Sequence, residues 1–483
     1  MRKNKTRKLG QNKKYNTELC DNEMTFQECE LAILRNAVDE GEINIKKNNV
    51  NSGEINKLIK ILEDFLINKK LICYGGLSIN NILPKHAQFY DREIEIPDYD
   101  FYSPNAMEDA IELADLYYKK GYLEVEAKAG VHFGTYKVFV NFIPLADITN
   151  IPKKLYDSIT EEAITIDKIR YSPPNFLRMN MYLELSRPSG DISRWDKVLK
   201  RLTLLNKYYP FSTDYDCAIV DFQRKMETTD EKNEGHIYTI IRDSFIEQGV
   251  VFFGGYASSL YGKYMPYKQQ KQIKRIPDFD VLAEDIENVS TIILKKLHKN
   301  GYENAYKVKN ESLGEIIPMH YEIHIGDELL AFIYKPIACH SYNIIKIKGK
   351  SINIATIDTM MTFYLAFYYA DKSYYNNDRI MCMANFLYEV QKHNRLEQQG
   401  LLKRFSINCY GKQESLNEIR ATKTEKYKEF SGKKESMEYN KWFLKYTPSK
   451  KREIKRVSIP SKKTKQNKKK IKKEENLFEE LLL

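Results

Sequence analysis

Two stretches of this chain repeat one order of features about 180 residues apart, which restricts the fold to tandem copies of a single module. In the first stretch an apolar run at 71–74 leads into Gly75-Gly76-Leu77-Ser78-Ile79-Asn80, then Pro97-Asp98-Tyr99-Asp100-Phe101. In the second, Phe253-Gly254-Gly255-Tyr256-Ala257-Ser258-Ser259 precedes Pro277-Asp278-Phe279-Asp280-Val281. The match continues downstream. Gly301-Tyr302 falls where Gly121-Tyr122 falls, and Tyr321-Glu322-Ile323-His324-Ile325 answers Tyr136-Lys137-Val138-Phe139-Val140.

Periodicity places these motifs on elements. Ile55, Leu58, Ile59, Leu62, Phe65 and Leu66 follow helical spacing and lead into a strand at 71–74. Ser103 is expected to cap a helix with Pro104 at its first position, Ala110, Leu113, Ala114 and Tyr117 on one face, and Gly121 at its end. Residues 136–140 and 145–148 read as strands, and 187–208 as helix. The aromatic stretch 363–375 reads as helix core, and His320 and His324 as a strand edge in preference to a zinc site. The expected fold is therefore α+β. A polar N-terminal arm with a short helix spans 1–52, the first module 53–225, the second 226–405 and a C-terminal segment 406–483.

The module motifs have a shared chemical logic. Asp98 and Asp100, at i and i+2 on a strand, point to the same face, so both carboxylates can reach one pair of metal ions. Leu145-Ala146-Asp147-Ile148 adds a third carboxylate, while the aligned Leu330-Ala331-Phe332-Ile333 has a phenylalanine at that point. The first module thus reads as a working site and the second as a degenerate copy. A strand, a Gly-Gly turn and a Ser-bearing helix start suit a triphosphate: the Gly75-Gly76 amides can approach its oxygens, and the Ser78 hydroxyl adds a donor. The combination describes a two-metal nucleotidyltransferase using Mg²⁺ or Mn²⁺, in which Asp98 and Asp100 bridge the ions and Asp147 helps deprotonate the attacking hydroxyl. No GxxxxGK[ST] motif is present, so the site is not a P-loop.

Charge narrows the partner. The net charge of +11 comes from the ends: from 449 to 473, 13 of 25 residues are Lys or Arg against Glu453 alone, and the first fourteen residues hold seven basic groups and no acid. Basic, disordered arms on a mildly acidic body point to RNA or DNA, with a localisation signal as the plainer reading. No apolar run approaches the roughly 20 residues that span a bilayer, which implies no membrane partner. Seven cysteines without a CxxC pair read as reduced thiols.

Taken together, Tyr74-Gly75-Gly76-Leu77-Ser78-Ile79-Asn80, the long gap to Pro97-Asp98-Tyr99-Asp100, and Leu145-Ala146-Asp147-Ile148 resemble the DNA polymerase beta-type nucleotidyltransferases. Within that superfamily the chain is similar to the poly(A) polymerase catalytic subunits of poxviruses and other large cytoplasmic DNA viruses, over roughly residues 55–400. The resemblance implies two tandem nucleotidyltransferase modules, the first catalytic and the second not. It also implies template-independent addition of AMP from ATP to mRNA 3′ ends, with Asp98, Asp100 and Asp147 as metal ligands. Lys197 and Arg201 resemble the family's helix that presents basic groups to the triphosphate, with a solvated basic face as the competing reading, and Asn80 is expected to orient the nucleotide. The expected setting is the host cytoplasm, with packaging in the virion, and the expected partner a second copy or a processivity subunit. Two alternatives stay open: another terminal nucleotidyltransferase of the superfamily, and a non-catalytic RNA-binding scaffold.

Overall fold

The computed structural model describes residues 19–20, 24–50, 53–90, 97–211, 217, 226, 233–270, 276–370, 375–394 and 397–449. The basic arms at 1–18 and 450–483 lie outside the described residues. Helix α1 (Phe26–Val50) precedes α2 (Gly53–Lys69), which buries Ile55, Leu58, Leu62, Phe65 and Leu66 along one stripe. Strand β1 (Ile72–Cys73) follows, then α3 (Gly75–Ile82), β2 (Tyr99–Ser103) and α4 (Ala106–Lys119). Next come β3 (Val125–Ala129), β4 (Thr135–Val140), β5 (Ile143–Asn150), α5 (Lys153–Glu161), β6 (Ile164–Ile166), β7 (Ile169–Tyr171), α6 (Pro174–Leu185) and α7 (Trp195–Tyr208).

The second half repeats the order. It comprises α8 (Glu234–Glu247), β8 (Val251–Phe252), α9 (Gly255–Tyr261), α10 (Tyr267–Gln270), β9 (Phe279–Leu282) and α11 (Ile286–Lys299). Strands β10 (Ala305–Asn310), β11 (His320–Ile325), β12 (Glu328–Tyr334), β13 (His340–Ile347) and β14 (Lys350–Ala355) lead into α12 (Ile357–Tyr368) and α13 (Asn377–Asn394). The C-terminal part adds β15 (Cys409–Tyr410), α14 (Leu416–Phe430), α15 (Met437–Phe443) and β16 (Lys445–Tyr446).

Two sheets result, in the orders β16-β3-β4-β5-β2-β1-β7-β6 and β10-β11-β12-β9-β8-β14-β13-β15. Without the two C-terminal strands they are the same sheet twice. The repetition extends to register: β2 pairs β5 in parallel with Asp100 opposite Asp147, and β9 pairs β12 in parallel with Asp280 opposite Phe332. Even the irregularities agree, since β4 shifts register at Val138/Phe139 and β11 at the aligned Ile323/His324. The C-terminal segment is shared, β15 extending the second sheet and β16 the first.

The halves pack through α6 and α12, whose Phe363, Tyr364 and Phe367 are buried as expected; the helix ends at Tyr368, short of 375, and residues 371–374 lie outside the described residues. The Ser341 amide donates to Ser186 O at 2.8 Å, and the Tyr369 hydroxyl donates to Glu162 at 3.0 Å. Four expectations need correction. The helix of the N-terminal arm is not short but runs 25 residues, Phe26–Val50. The helix expected over 187–208 starts only at Trp195, after the Arg-Pro-Ser-Gly turn. Ser103 stays in the strand, and the helix starts at Ala106; the Ser103 hydroxyl instead donates to buried Asp109 at 2.5 Å and accepts from the Asn105 amide. The cysteines are not all free: Cys20–Cys29, Cys217–Cys382 and Cys339–Cys409 are bonded, leaving Cys73 as the free thiol, buried. Partners separated by 165 and 70 residues meet only through the tertiary fold, so spacing gives no sign of them.

Candidate active site

Strands β2 and β5 are neighbours, so the Asp100–Asp147 register sets two carboxylates side by side, and Asp98 stands just ahead of β2 on the same face as Asp100. Lys137 on β4 is the next residue in that row, and its ammonium pairs with the Asp147 carboxylate. Burial, then the charges of Asp98 and Asp147, push the Asp100 carboxyl up to about 7, against the pull of Lys137 and Arg194. Burial and Asp147 also raise Asp98. Three carboxylates thus share one nearby ammonium, an excess of negative charge that a divalent cation suits. Among the described residues no three such side chains form a finished metal-binding group. Asp147 instead gives an oxygen to Lys137.

The Gly-Gly turn sits directly against this row. Gly75 has φ +72°, and a Cβ there would meet Asp100 Oδ2 at 2.8 Å, so glycine is required for both conformation and space. A Cβ on Gly76 would meet the Tyr90 hydroxyl at 2.5 Å and Arg201 Nη1 at 2.9 Å. The turn is therefore bracketed by a carboxylate on one side and a guanidinium on the other, at the amino end of α3, where the helix dipole is positive.

Arg201 is held in place by a relay of contacts. Its Nη2 donates to the Tyr90 hydroxyl at 2.6 Å, and its guanidinium lies 4.9 Å from the Phe89 ring centre. Asn80 fixes that loop: its Oδ1 accepts the amides of Phe89 and Tyr90 at 2.7 and 2.8 Å, with the residue 1% exposed. Asn80 thus faces the loop, not an open site. Ser78 is wholly buried, and its hydroxyl has no hydrogen-bond partner among the described residues. Lys197 is exposed one turn before Arg201, and no contact among the described residues joins it to the turn. Tyr90 and Lys137 carry no motif in the sequence; the i+10 pairing of Lys137 with Asp147 across a hairpin was the one available signal.

A cleft of about 420 Å³ opens beside the site, between the two halves, lined among others by Tyr74, Tyr102, Phe133, Asn180, Arg187 and Glu315. The Tyr74 and Tyr102 rings stack at 3.9 Å, and Tyr74 shares a 2.8 Å hydrogen bond with Thr149. In the second half a cavity of about 50 Å³ at the Gly-Gly turn is walled by Asp278, Asp280, Phe332, Tyr364 and Arg379. There the Asp280 carboxylate lies against the Gly254 backbone, where a Cβ would fall far inside contact distance. His320 and His324 stand on β11, with His324 bonded to Glu322 at 3.0 Å.

No helix among the described residues is long and apolar enough to cross a membrane. Residues 60–191 match the family model for the poly(A) polymerase catalytic subunit. A provisionally named poly(A) polymerase catalytic subunit of African swine fever virus (isolate Pig/Kenya/KEN-50/1950) is 35% identical over 158 residues, 32% of this chain and 33% of that protein. One from Acanthamoeba polyphaga mimivirus is 31% identical over 186 residues, 38% of this chain and 30% of that one. The aligned region thus spans about a third of these relatives. The crystal structure of the Megavirus polyadenylate synthase superposes with a TM-score of 0.75 at 20% identity, covering 96% of this chain and 94% of that one. Residues 60–191, with the Gly-Gly turn and all three carboxylates, therefore carry the sequence features of the poly(A) polymerase catalytic subunit family, on a chain with the fold of a viral polyadenylate synthase.

Proposed function

We propose that this chain adds AMP from ATP, without a template, to the 3′ ends of mRNA. The observation that carries the reading is the row Asp100–Asp147 set against the Gly75-Gly76 turn and Arg201. Asp98, Asp100 and Asp147 would hold Mg²⁺ or Mn²⁺, whose charge, when bound, lowers the cost of ionising the 3′-hydroxyl and of releasing pyrophosphate. Arg201 and the amides at the start of α3 bind the triphosphate oxygens; Tyr90 and Asn80 keep Arg201 aimed. Lys137 orients the Asp147 carboxylate towards the place of the attacking hydroxyl. The aromatic cleft takes the adenine base and the last nucleotide of the RNA by stacking.

In this reading 53–225 is the working module and 226–405 a brace that shapes the cleft. Processivity comes from the basic ends, a second copy or a separate subunit. The setting is the host cytoplasm and the virion. Extension of a 5′-labelled RNA ending in oligo(A), with each NTP separately and Mg²⁺ or Mn²⁺, tests the reading. Long products with ATP alone are expected, lost in Asp98→Ala/Asp100→Ala and kept in Asp278→Ala/Asp280→Ala. Equal loss in both double variants, or extension with every NTP, would refute it.

A further inference from the structure

Helix α7 has a second polar face, and the chemistry proposed above leaves it unused. Arg201 reaches the Gly-Gly turn, whereas Thr203, Asn206 and Lys207 lie round the helix from it, position 203 by about 200°. Together with Tyr182 of α6, Gln391 and Lys392 of α13, and Arg404, they line a cavity of about 290 Å³ at the junction of the two halves.

Donors predominate on this wall. Behind the wall and not lining it, Arg178, 2% exposed, donates to the neutral amides Asn206 Oδ1 at 2.8 Å and Asn175 Oδ1 at 2.6 Å and lies 4.4 Å from the Phe211 ring centre, while its Nη2 has no hydrogen-bond partner among the described residues. No carboxylate among the described residues is hydrogen-bonded to this buried guanidinium, although buried charges are ordinarily paired. The Tyr182 hydroxyl, on a residue 0% exposed, and the Gln391 Nε2 are likewise without hydrogen-bond partners among the described residues. Lys207 forms no ion pair among the described residues. The acceptors nearby are already engaged, Asp358 by Arg404 and Glu389 by Lys392. An unpartnered buried donor costs free energy, and two on this wall with a third behind it, beside a cationic mouth, define what is missing: an anion with several oxygens.

We propose that this cavity binds a phosphoryl group, through Tyr182, Lys207 and Lys392 with Arg178 behind them, as a site separate from the triphosphate site on the other face of α7. The phosphoryl group belongs either to a free phosphate compound or to the backbone of a bound RNA. The proposal does not rest on catalysis, and its test needs none.

The full-length chain is titrated in EDTA with inorganic phosphate by calorimetry and with fluorescein-labelled oligo(A) by anisotropy at several salt concentrations. Tyr182→Phe and Lys207→Gln are compared with Lys200→Gln, an exposed lysine of α7 paired with Asp196. Tyr182→Phe removes only an unpartnered hydroxyl, so it retains the fold, and urea midpoints verify this. Lys207→Gln is expected to weaken binding about tenfold and Tyr182→Phe about threefold, with Lys200→Gln unchanged. Loss confined to inorganic phosphate assigns a free phosphate compound. Loss of RNA affinity, with the salt slope reduced by about one in Lys207→Gln, assigns a backbone phosphate. Affinities for both probes equal to those of Lys200→Gln would overturn the proposal, as would absence of binding by the unaltered chain.

Discussion

The relay Asn80–Tyr90–Arg201 divides into a stability part and a substrate part, and two substitutions separate them. Asn80→Ala leaves the amides of Phe89 and Tyr90, now satisfied at 2.7 and 2.8 Å by a buried side chain, without an acceptor. At about 1–3 kcal/mol for each orphaned amide, the loss reaches about 2–6 kcal/mol if the loop stays in place, and less if it peels into water. Tyr90→Phe keeps the ring against Phe89 and removes only the oxygen that receives Arg201 Nη2 at 2.6 Å. The fold should then hold, while the guanidinium loses its aim. A hydrogen bond to a charged group contributes about 1.5–3 kcal/mol, so kcat/KM for ATP should fall by at least about tenfold. Urea denaturation followed by steady-state extension with varied ATP reads both effects. A Tyr90→Phe variant within twofold of wild type in kcat/KM, alongside an Asn80→Ala variant of full stability, would show the relay to be idle.

The carboxylate row gives a pH signature. Asp100 holds its proton to about 7 in the folded chain against 3.8 as the reference value, so unfolding releases a proton between these limits and its contribution to stability falls as pH rises through them. In EDTA, Asp100→Asn should match wild type near pH 4 and exceed it by up to about 4 kcal/mol at pH 8, with Mg²⁺ narrowing the gap; a pH-independent difference in urea titrations would contradict this. Arg404→Leu strands the buried Asp358 carboxylate that Arg404 holds at 2.8–3.2 Å, and should cost about 3–5 kcal/mol in urea unfolding, most of it recovered in Asp358→Asn/Arg404→Met. Gly75→Ala meets both a positive φ and Asp100 Oδ2 at 2.8 Å; it should abolish extension while lowering the thermal midpoint only by several degrees, as scanning calorimetry will show.

What the sequence made legible was whatever repeats or has a short period. The duplication, the parallel carboxylate pair and the Phe332 substitution all follow from strand alternation and a constant offset, and the ladders agree residue for residue. Arg201 was found as part of a basic helix, but its neighbour Lys197, equivalent by spacing, stays exposed because periodicity gives a face and not a reach. Asn80 and Ser78 looked like nucleotide contacts because they follow the Gly-Gly turn, yet a helix of eight residues turns them inward, one to pin a loop and one into the core. Tyr90, the Glu162 contacts across the halves and two of the three disulfides depend on pairs far apart in sequence, for which no local pattern exists.

The second half serves as an internal control on the first, because it carries the same scaffold with Phe332 where the first half has Asp147. A Gly-Gly turn, an Asp-x-Asp strand, an amide ahead of the turn donating to the carbonyl of the second aspartate at 2.9 Å and a register shift four residues before the strand's partner all occur in both halves. They occur with and without the third carboxylate, so none of them diagnoses activity by itself. What differs is the row that crosses the sheet: Lys137 opposite Asp147 in one half, Glu322 opposite Phe332 in the other. A search for working copies of this module should accordingly ask for that cross-strand pair before it asks for the glycines.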